Sequence, residues 1–253
     1  MKKNRTTKAK IDSFLVHAMP FVPTRARESD FEITRSWGEK RIKIKSDETL
    51  NFYDLISILQ LLQDYILNKK KYKSIEIGER DDKLEAFWFP VELDAFVLKR
   101  GVENDINNRK TIYKSLERLF KMEIEIGGKG DPPRKTRFIY DLKPNKDFTK
   151  AVGFVNKLFY DFCLENGMVI NIDRLISYKE NGYAVILDTF IQSTEKGYKR
   201  YPEGLLFGKL NLNETKMSIK DKRKKLKRAF ETTDKNFRYD KKSHCWERNY
   251  DAE

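Results

Sequence analysis

Residues 216–230, KMSIKDKRKKLKRAF, hold eight Lys or Arg against a single acid, Asp221, while Ile219, Leu226, Ala229 and Phe230 recur at spacings that share one helical face. The pattern predicts a helix seated on a core and turning a cationic face outward. Ser218, with Asp221 three residues on, forms a capping-box arrangement that starts it. A helix entering a DNA major groove needs this build, because Lys and Arg suit the O6 and N7 of guanine. Lys216, Lys220, Lys224 and Lys227 lie opposite the apolar stripe as candidate readers, and Ser218 and Arg228 complete the DNA-binding set of this helix. Some of them touch only phosphate. On an isolated helix the same charge run would be an ordinary solvated face, so the surrounding chain decides.

Other residues capable of chemistry lack the partners they need. His17 and His244 are the two histidines and form no His-x-His pair, which disfavours a metal-dependent tyrosine nickase despite twelve tyrosines. Cys163 and Cys245 add no C-x-x-C spacing, so no metal site is expected. GLLFGKL at 204–210 has three residues between its glycines where a phosphate loop has four, and Leu210 stands where Ser or Thr would hold magnesium. GGKG at 127–130 joins two strands and opens no helix, which makes it a hairpin tip. Asp81 and Asp82 fall in a polar turn. No enzymatic activity, nucleotide, metal or other cofactor is expected.

The elements that would position the cationic helix are legible along the chain. Residues 1–30 are polar, with Pro20 and Pro23, and read as a basic arm that is at best partly ordered. FEITRSW and KRIKIKS alternate around Gly38 as a hairpin, and Phe52, Leu55, Ile56, Leu59, Leu62 and Ile66 make a core-helix stripe. After a basic loop at 69–73, LEAFWFP reads as a strand ending at Pro90, VELDAFVLKRG as a short helix stopped by Gly101, and NNRKTIYKSLERLFKM as a second basic helix. MEIEI and TRFIYDL are then two strands around GGKGDPPRK. Asn107, Asn108, Arg109, Lys110, Thr111 and Lys114 surround the start of the helix, and Lys129, Arg134 and Lys135 lie at or near the hairpin tip. An Asn at that helix start pairs with adenine or caps the helix, and capping is expected of one of the two.

The order recurs with little sequence identity. A connecting stripe of Val155, Leu158, Phe159 and Phe162 ends near Gly167, and MVINIDRLISY admits a strand. NGYAVILDTFIQSTEK and YPEGLLFGKL supply two helices before the 216–230 helix, and NFRYDKKSHCWERNY a hairpin with Lys241 and Lys242 at its tip. The expected fold class is α+β, two winged-helix domains in tandem. The segments are an arm (1–30), an N-terminal winged-helix domain (31–145), a connecting helix (146–167) and a C-terminal winged-helix domain (168–253). Two basic helices, each before a basic hairpin, point to DNA more strongly than either does alone. A net charge of +13 over 253 residues agrees with a polyanionic partner. The two distant cysteines, the absence of an apolar run after MKKNRTTKAK, and the polar residues interrupting Leu50 to Leu67 favour a reduced cytoplasmic setting without a membrane span.

On these residues the chain resembles the initiator proteins of theta-replicating plasmids, over roughly residues 31–250. KIKSDETLNFYDLISILQLL is similar to the strand and first helix that open their N-terminal unit, and the 216–230 helix with its following hairpin is similar to their main DNA-reading element. The resemblance implies binding to repeated origin sequences, or iterons, by a monomer using both domains. It also implies a homodimer formed through the N-terminal unit that represses its own gene, plasmid copy control, and recruitment of the host replicative helicase machinery. A winged-helix transcriptional repressor shares the same recognition physics and stays open as the alternative, and a scaffolding or RNA-binding protein with no base readout stays open as a third.

Overall fold

A computed structural model of the chain describes residues 8–12, 16, 21–24, 28–37, 40–78, 84–128, 134–194, 200–213 and 215–248. Helix α1 (Phe52–Asn68) is the centre of the first half. Its start is set by a reciprocal cap: the Asn51 side chain accepts from the Tyr53 N–H at 2.8 Å, and the Asp54 carboxylate accepts from the Asn51 N–H at 2.8 Å. Its apolar stripe is buried at Leu55, Ile56, Leu59 and Leu62, while Ile66 stands exposed at its C-terminal end.

Two four-stranded antiparallel sheets flank α1. One comprises β2 (Glu28–Trp37), β3 (Lys40–Glu48), β6 (Glu123–Gly127) and β7 (Arg134–Arg137) in that order. The other has the order β4 (Lys73–Ile77), β5 (Leu84–Glu92), β9 (Lys150–Asn156), β8 (Ile139–Pro144). Strand β5 does not stop at Pro90; it runs directly into α2 (Leu93–Lys99), and after Gly101, at φ +67, the chain turns into α3 (Ile106–Lys121). TRFIYDL, which reads as one strand, is divided by the buried Phe138 between the two sheets. Part of the basic loop at 69–73 is a 3-10 turn, and its last residue opens β4.

The second half is smaller. Helix α4 (Lys157–Asn166) begins only after β9 ends, so Val155, placed by its spacing on a helical stripe, lies in a strand that pairs with β5. Gly167–Asn171 forms β10, followed by α5 (Ile172–Ser177), α6 (Gly182–Ser193), β11 (Arg200–Pro202), α7 (Glu203–Lys209), α8 (Ile219–Thr233), β12 (Phe237–Asp240) and β13 (Cys245–Arg248). The three short strands make a sheet of order β11-β13-β12.

The two halves repeat one plan. In each, a helix is followed by a strand that enters a short helix without a break, then by a longer helix, then by an antiparallel hairpin whose second strand pairs with the first strand. A hydrogen bond recurs at the equivalent place: the Leu93 N–H donates to the Thr149 carbonyl at 2.8 Å, and the Glu203 N–H to the His244 carbonyl at 2.9 Å. Each acceptor is the residue before the last strand of its hairpin. The hairpin that corresponds to β12–β13 is therefore β8–β9, and the β6–β7 hairpin, expected to be the first wing, belongs to the other sheet.

The N-terminal arm also differs from its sequence reading. Lys8–Asp12 forms β1, antiparallel to β10, with Ala9 and Ile11 buried, and Val16, Phe21 and Val22 are buried as well. KAKID alternates, but five residues among polar neighbours give too short a period to stand out. The halves meet closely at Gly182, where a Cβ would lie 2.2 Å from the Pro23 carbonyl oxygen and 2.4 Å from the Phe52 ring. No helix among the described residues is long and apolar enough to cross a membrane.

Asp54 links α1 to α3 from a fully buried position. Its carboxylate accepts from the Ser115 hydroxyl at 2.5 Å and from Arg118 at 2.8 to 3.1 Å. Asp54→Asn should remove the close ion pair and leave the Arg118 guanidinium only Glu48, at 3.8 Å, with a loss of about 3–5 kcal/mol of unfolding free energy in urea titrations. Gly182→Ala should lower it by about 1–3 kcal/mol through overpacking against Phe52, measured in the same way.

Candidate nucleic-acid interface

Helix α8 is held at both ends and along one side. At its start the Ser218 hydroxyl accepts from the Asp221 N–H at 3.2 Å and donates to the Asp221 carboxylate at 2.7 Å. Leu226, Ala229 and Phe230 are buried, and the Phe230 ring stacks between Phe237 and Trp246 of the hairpin, with centroids 4.7 and 4.6 Å away. At its end Arg174 donates to the Thr233 carbonyl at 2.8 Å and also pairs with the buried Asp188 at 2.9 Å. Burial pushes the Asp188 carboxyl up, and Arg174, Gln192 and Tyr178 pull it back down.

Seven of the eight cations of the run divide into two groups, and the eighth, Lys222, is half-buried. Arg223 forks onto Glu203, the first residue of α7, with Nε and Nη2 donating at 2.6 and 2.9 Å, and lies 5.0 Å from the Tyr239 ring centroid. The Glu203 carboxylate holds the Arg223 guanidinium above its ordinary value. Lys225 lies over the Tyr183 ring at 4.6 Å. Arg223 and Lys225 therefore fasten the helix to its surroundings. Lys216, Lys220, Lys224, Lys227 and Arg228 are exposed, and of these Lys227 approaches Glu231 at 3.7 Å. Lys216 and Ser218 precede the first helical turn, Ser218 serving as its cap. Ile219, assigned by its spacing to the apolar stripe, is 59% exposed, because the first turn extends beyond the core that buries Leu226.

The β12–β13 turn stands beside this helix. The Asp240 carboxylate accepts from the Ser243 hydroxyl at 2.5 Å and from the Lys242 and Ser243 N–H groups at 3.0 and 3.2 Å, which holds its pKa below the usual carboxylate range. The turn is thereby fixed with Lys241 and Lys242 exposed. His244 sits in the turn at φ +50, hydrogen-bonded to the Tyr239 hydroxyl at 3.0 Å.

In the first half the cap of α3 is Asp105, whose carboxylate accepts from the Asn108 N–H at 2.8 Å, and neither Asn caps the helix. Asp105, three residues before Asn108, was the available signal. The Asn108 amide is occupied by the Glu103 carbonyl and the Asp105 carboxylate, at 2.9 and 3.1 Å. Asn107 is exposed, and its carbonyl accepts from the Thr111 hydroxyl at 2.9 Å. Lys110 is exposed over the Phe148 ring at 5.4 Å, Lys114 is exposed, and Arg109 is part-buried with no hydrogen-bond partner for its Nε among the described residues.

Lys129 lies outside the described residues. Arg134 and Lys135 lie in β7, away from α3's equivalent hairpin, and Lys135 shares a sheet face with Glu123, Glu125, Lys43 and Lys45. That face is largely neutralised, with Lys43 and Lys45 at 2.7 and 3.3 Å from Glu32 and Arg137 at 2.9 Å from Glu123. The hairpin placed like β12–β13 instead carries Lys143, Lys146 and Lys150, all exposed. Lys143 and Lys150 face Asp141 and Glu92 at 3.5 and 3.3 Å. Sequence reasoning passed over these three, although Pro-Asn-Lys-Asp between two alternating segments is a turn signal.

No protein-family model matches the sequence, and no curated protein is similar to it. The fold has solved counterparts. The chain superimposes on a crystal structure of domains 2 and 3 of RctB, determined on selenomethionine derivatives, with a TM-score of 0.56 and 13% identity over 87% of this chain and 85% of that one. A second crystal structure of RctB domains 2–3 gives 0.54 and 11% identity over 88% and 83%. At these identities the likeness is one of fold, and it extends across both halves of the repeat.

Proposed function

We propose that the protein is a sequence-specific double-stranded DNA-binding protein that initiates plasmid replication at repeated origin sites, built from two tandem winged-helix units and acting by binding without a catalytic step. The observation that carries this reading is α8. It presents Lys220, Lys224 and Arg228, exposed and without an ion pair among the described residues, on a helix that its cap, its aromatic platform and the Arg223–Glu203 fork hold rigid. The fold shared with domains 2 and 3 of RctB, across both halves of the chain, supports the tandem arrangement.

In this reading α8 enters a major groove, and Lys216, Lys220 and Lys224 select bases while Lys227, Arg228, Lys241 and Lys242 neutralise phosphate. Helix α3 enters a second groove with Asn107, Lys110 and Lys114, and the β8–β9 turn takes the wing position. A monomer spans one repeat with both units. A dimer through the first unit represses the protein's own gene, and the bound array recruits the replicative helicase.

Selection of bound duplexes from a random library at physiological salt should return one motif spanning about two helical turns, arranged as direct repeats at its origin. Inverted repeats would point to a repressor instead, and the absence of any motif would remove the reading. Lys220→Ala and Lys224→Ala should each weaken the selected site by roughly 1–3 kcal/mol in titrations if they read bases, and weaken all sequences alike if they touch phosphate. Lys146→Ala should reduce the slope of log affinity against log salt by about one. Lys135→Ala should leave that slope unchanged, because Lys135 lies on the other sheet.

A further inference from the structure

Both long helices of the repeat begin with an exposed isoleucine. Ile219 follows the Ser218 cap directly and is 59% exposed; Ile106 follows the Asp105 cap and is 42% exposed. A β-branched aliphatic residue gains nothing there from helix propensity and leaves apolar surface in water. Neither side chain is part of the core that the rest of its helix joins, yet the same residue occupies the same place in both units.

The surroundings say what could cover such a residue. Ile219 is flanked by exposed Lys216 and Lys220, so an apolar protein surface closing over it would strip water from two ammonium groups without compensation. A duplex reverses that balance, since its base-edge acceptors and phosphates compensate the lysines while the floor of the major groove offers an apolar group, the 5-methyl of thymine. The first turn of a groove-bound helix is the part that meets base edges. Ile106 is followed by exposed Asn107, a side chain that pairs with adenine, so the start of α3 carries the complementary pair of contacts for an A·T step.

We infer that Ile219 and Ile106 are specificity-determining residues that each read the methyl group of a thymine in the major groove. The inference rests on the DNA-reading role proposed above and adds to it the base that the first turn of each helix selects. The caps contribute by fixing the turn on which each isoleucine sits, so that little order has to be created on binding.

The test uses the full chain and its selected duplex, with each thymidine replaced in turn by deoxyuridine, which removes only the methyl group. One position in each half of the site should bind about fourfold more weakly, the factor that corresponds to one methyl group withdrawn from burial. Ile219→Ala should abolish the sensitivity at one of these positions and Ile106→Ala at the other, and each variant should bind the doubly substituted duplex nearly as well as the natural protein does. A selected site indifferent to every thymine methyl, or sensitivity that persists at both positions in Ile219→Ala or in Ile106→Ala, would overturn this inference while leaving sequence-specific binding intact. Failure to select any motif would sink the DNA-reading role itself, and this inference with it.

Discussion

A helix that is to offer cations to a polyanion must be held in place by contacts that do not use those cations. Helix α8 meets this constraint with three buried side chains, of which Phe230, stacked between Phe237 and Trp246, is the largest. The stack joins the helix to the hairpin, so both cationic elements move as one body. The electrostatic cost of crowding eight positive charges into one segment is then offset locally, by Glu203 under Arg223, by ring faces under Arg223 and Lys225, and by Glu231 beside Lys227, while Lys220 and Lys224 stay exposed without an ion pair among the described residues.

The first half meets the same mechanical requirement by other means. There the brace is the buried Asp54, which caps α1 and at the same time gathers Ser115 and Arg118 from α3. Two units with one topology, one recurring backbone hydrogen bond and different buried ion pairs are what a repeat looks like when the backbone plan is retained and the side chains are free to change. Its outer charge differs as well. Helix α3 keeps Lys110 and Lys114 exposed beside Asp105 and Glu103, whereas α8 exposes lysines throughout its first turns. The second unit therefore presents the stronger cationic surface to a polyanion.

The sheet of β2, β3, β6 and β7 stands outside this repeat. Its strands precede α1 and follow α3 in the chain, and its exposed charges are largely paired with one another. A basic hairpin tip is thus not evidence of a wing; what matters is which strand its second arm pairs with. Here β9 pairs with β5, and that pairing places the β8–β9 turn beside the start of α2.

What the sequence by itself determined is what depends on near neighbours. The stripe of α1, the cap of α8, the short helices within VELDAFVLKRG and YPEGLLFGKL, and the cationic run are all set by residues within a turn or two of each other, where period and capping chemistry act, although Tyr201 and Pro202 belong to β11. Even there the first turn escaped, since periodicity puts Ile219 on the core side and cannot tell where the core ends. Only the tertiary structure decided which hairpin lies beside α3, that Lys8–Asp12 pairs with residues more than 150 positions away, and which cations are free. Arg223 and Lys224 are adjacent and chemically alike in the chain. One is committed to a carboxylate 20 residues distant and the other faces solvent, because an ion pair is made by position in space, which the local pattern of charges does not encode.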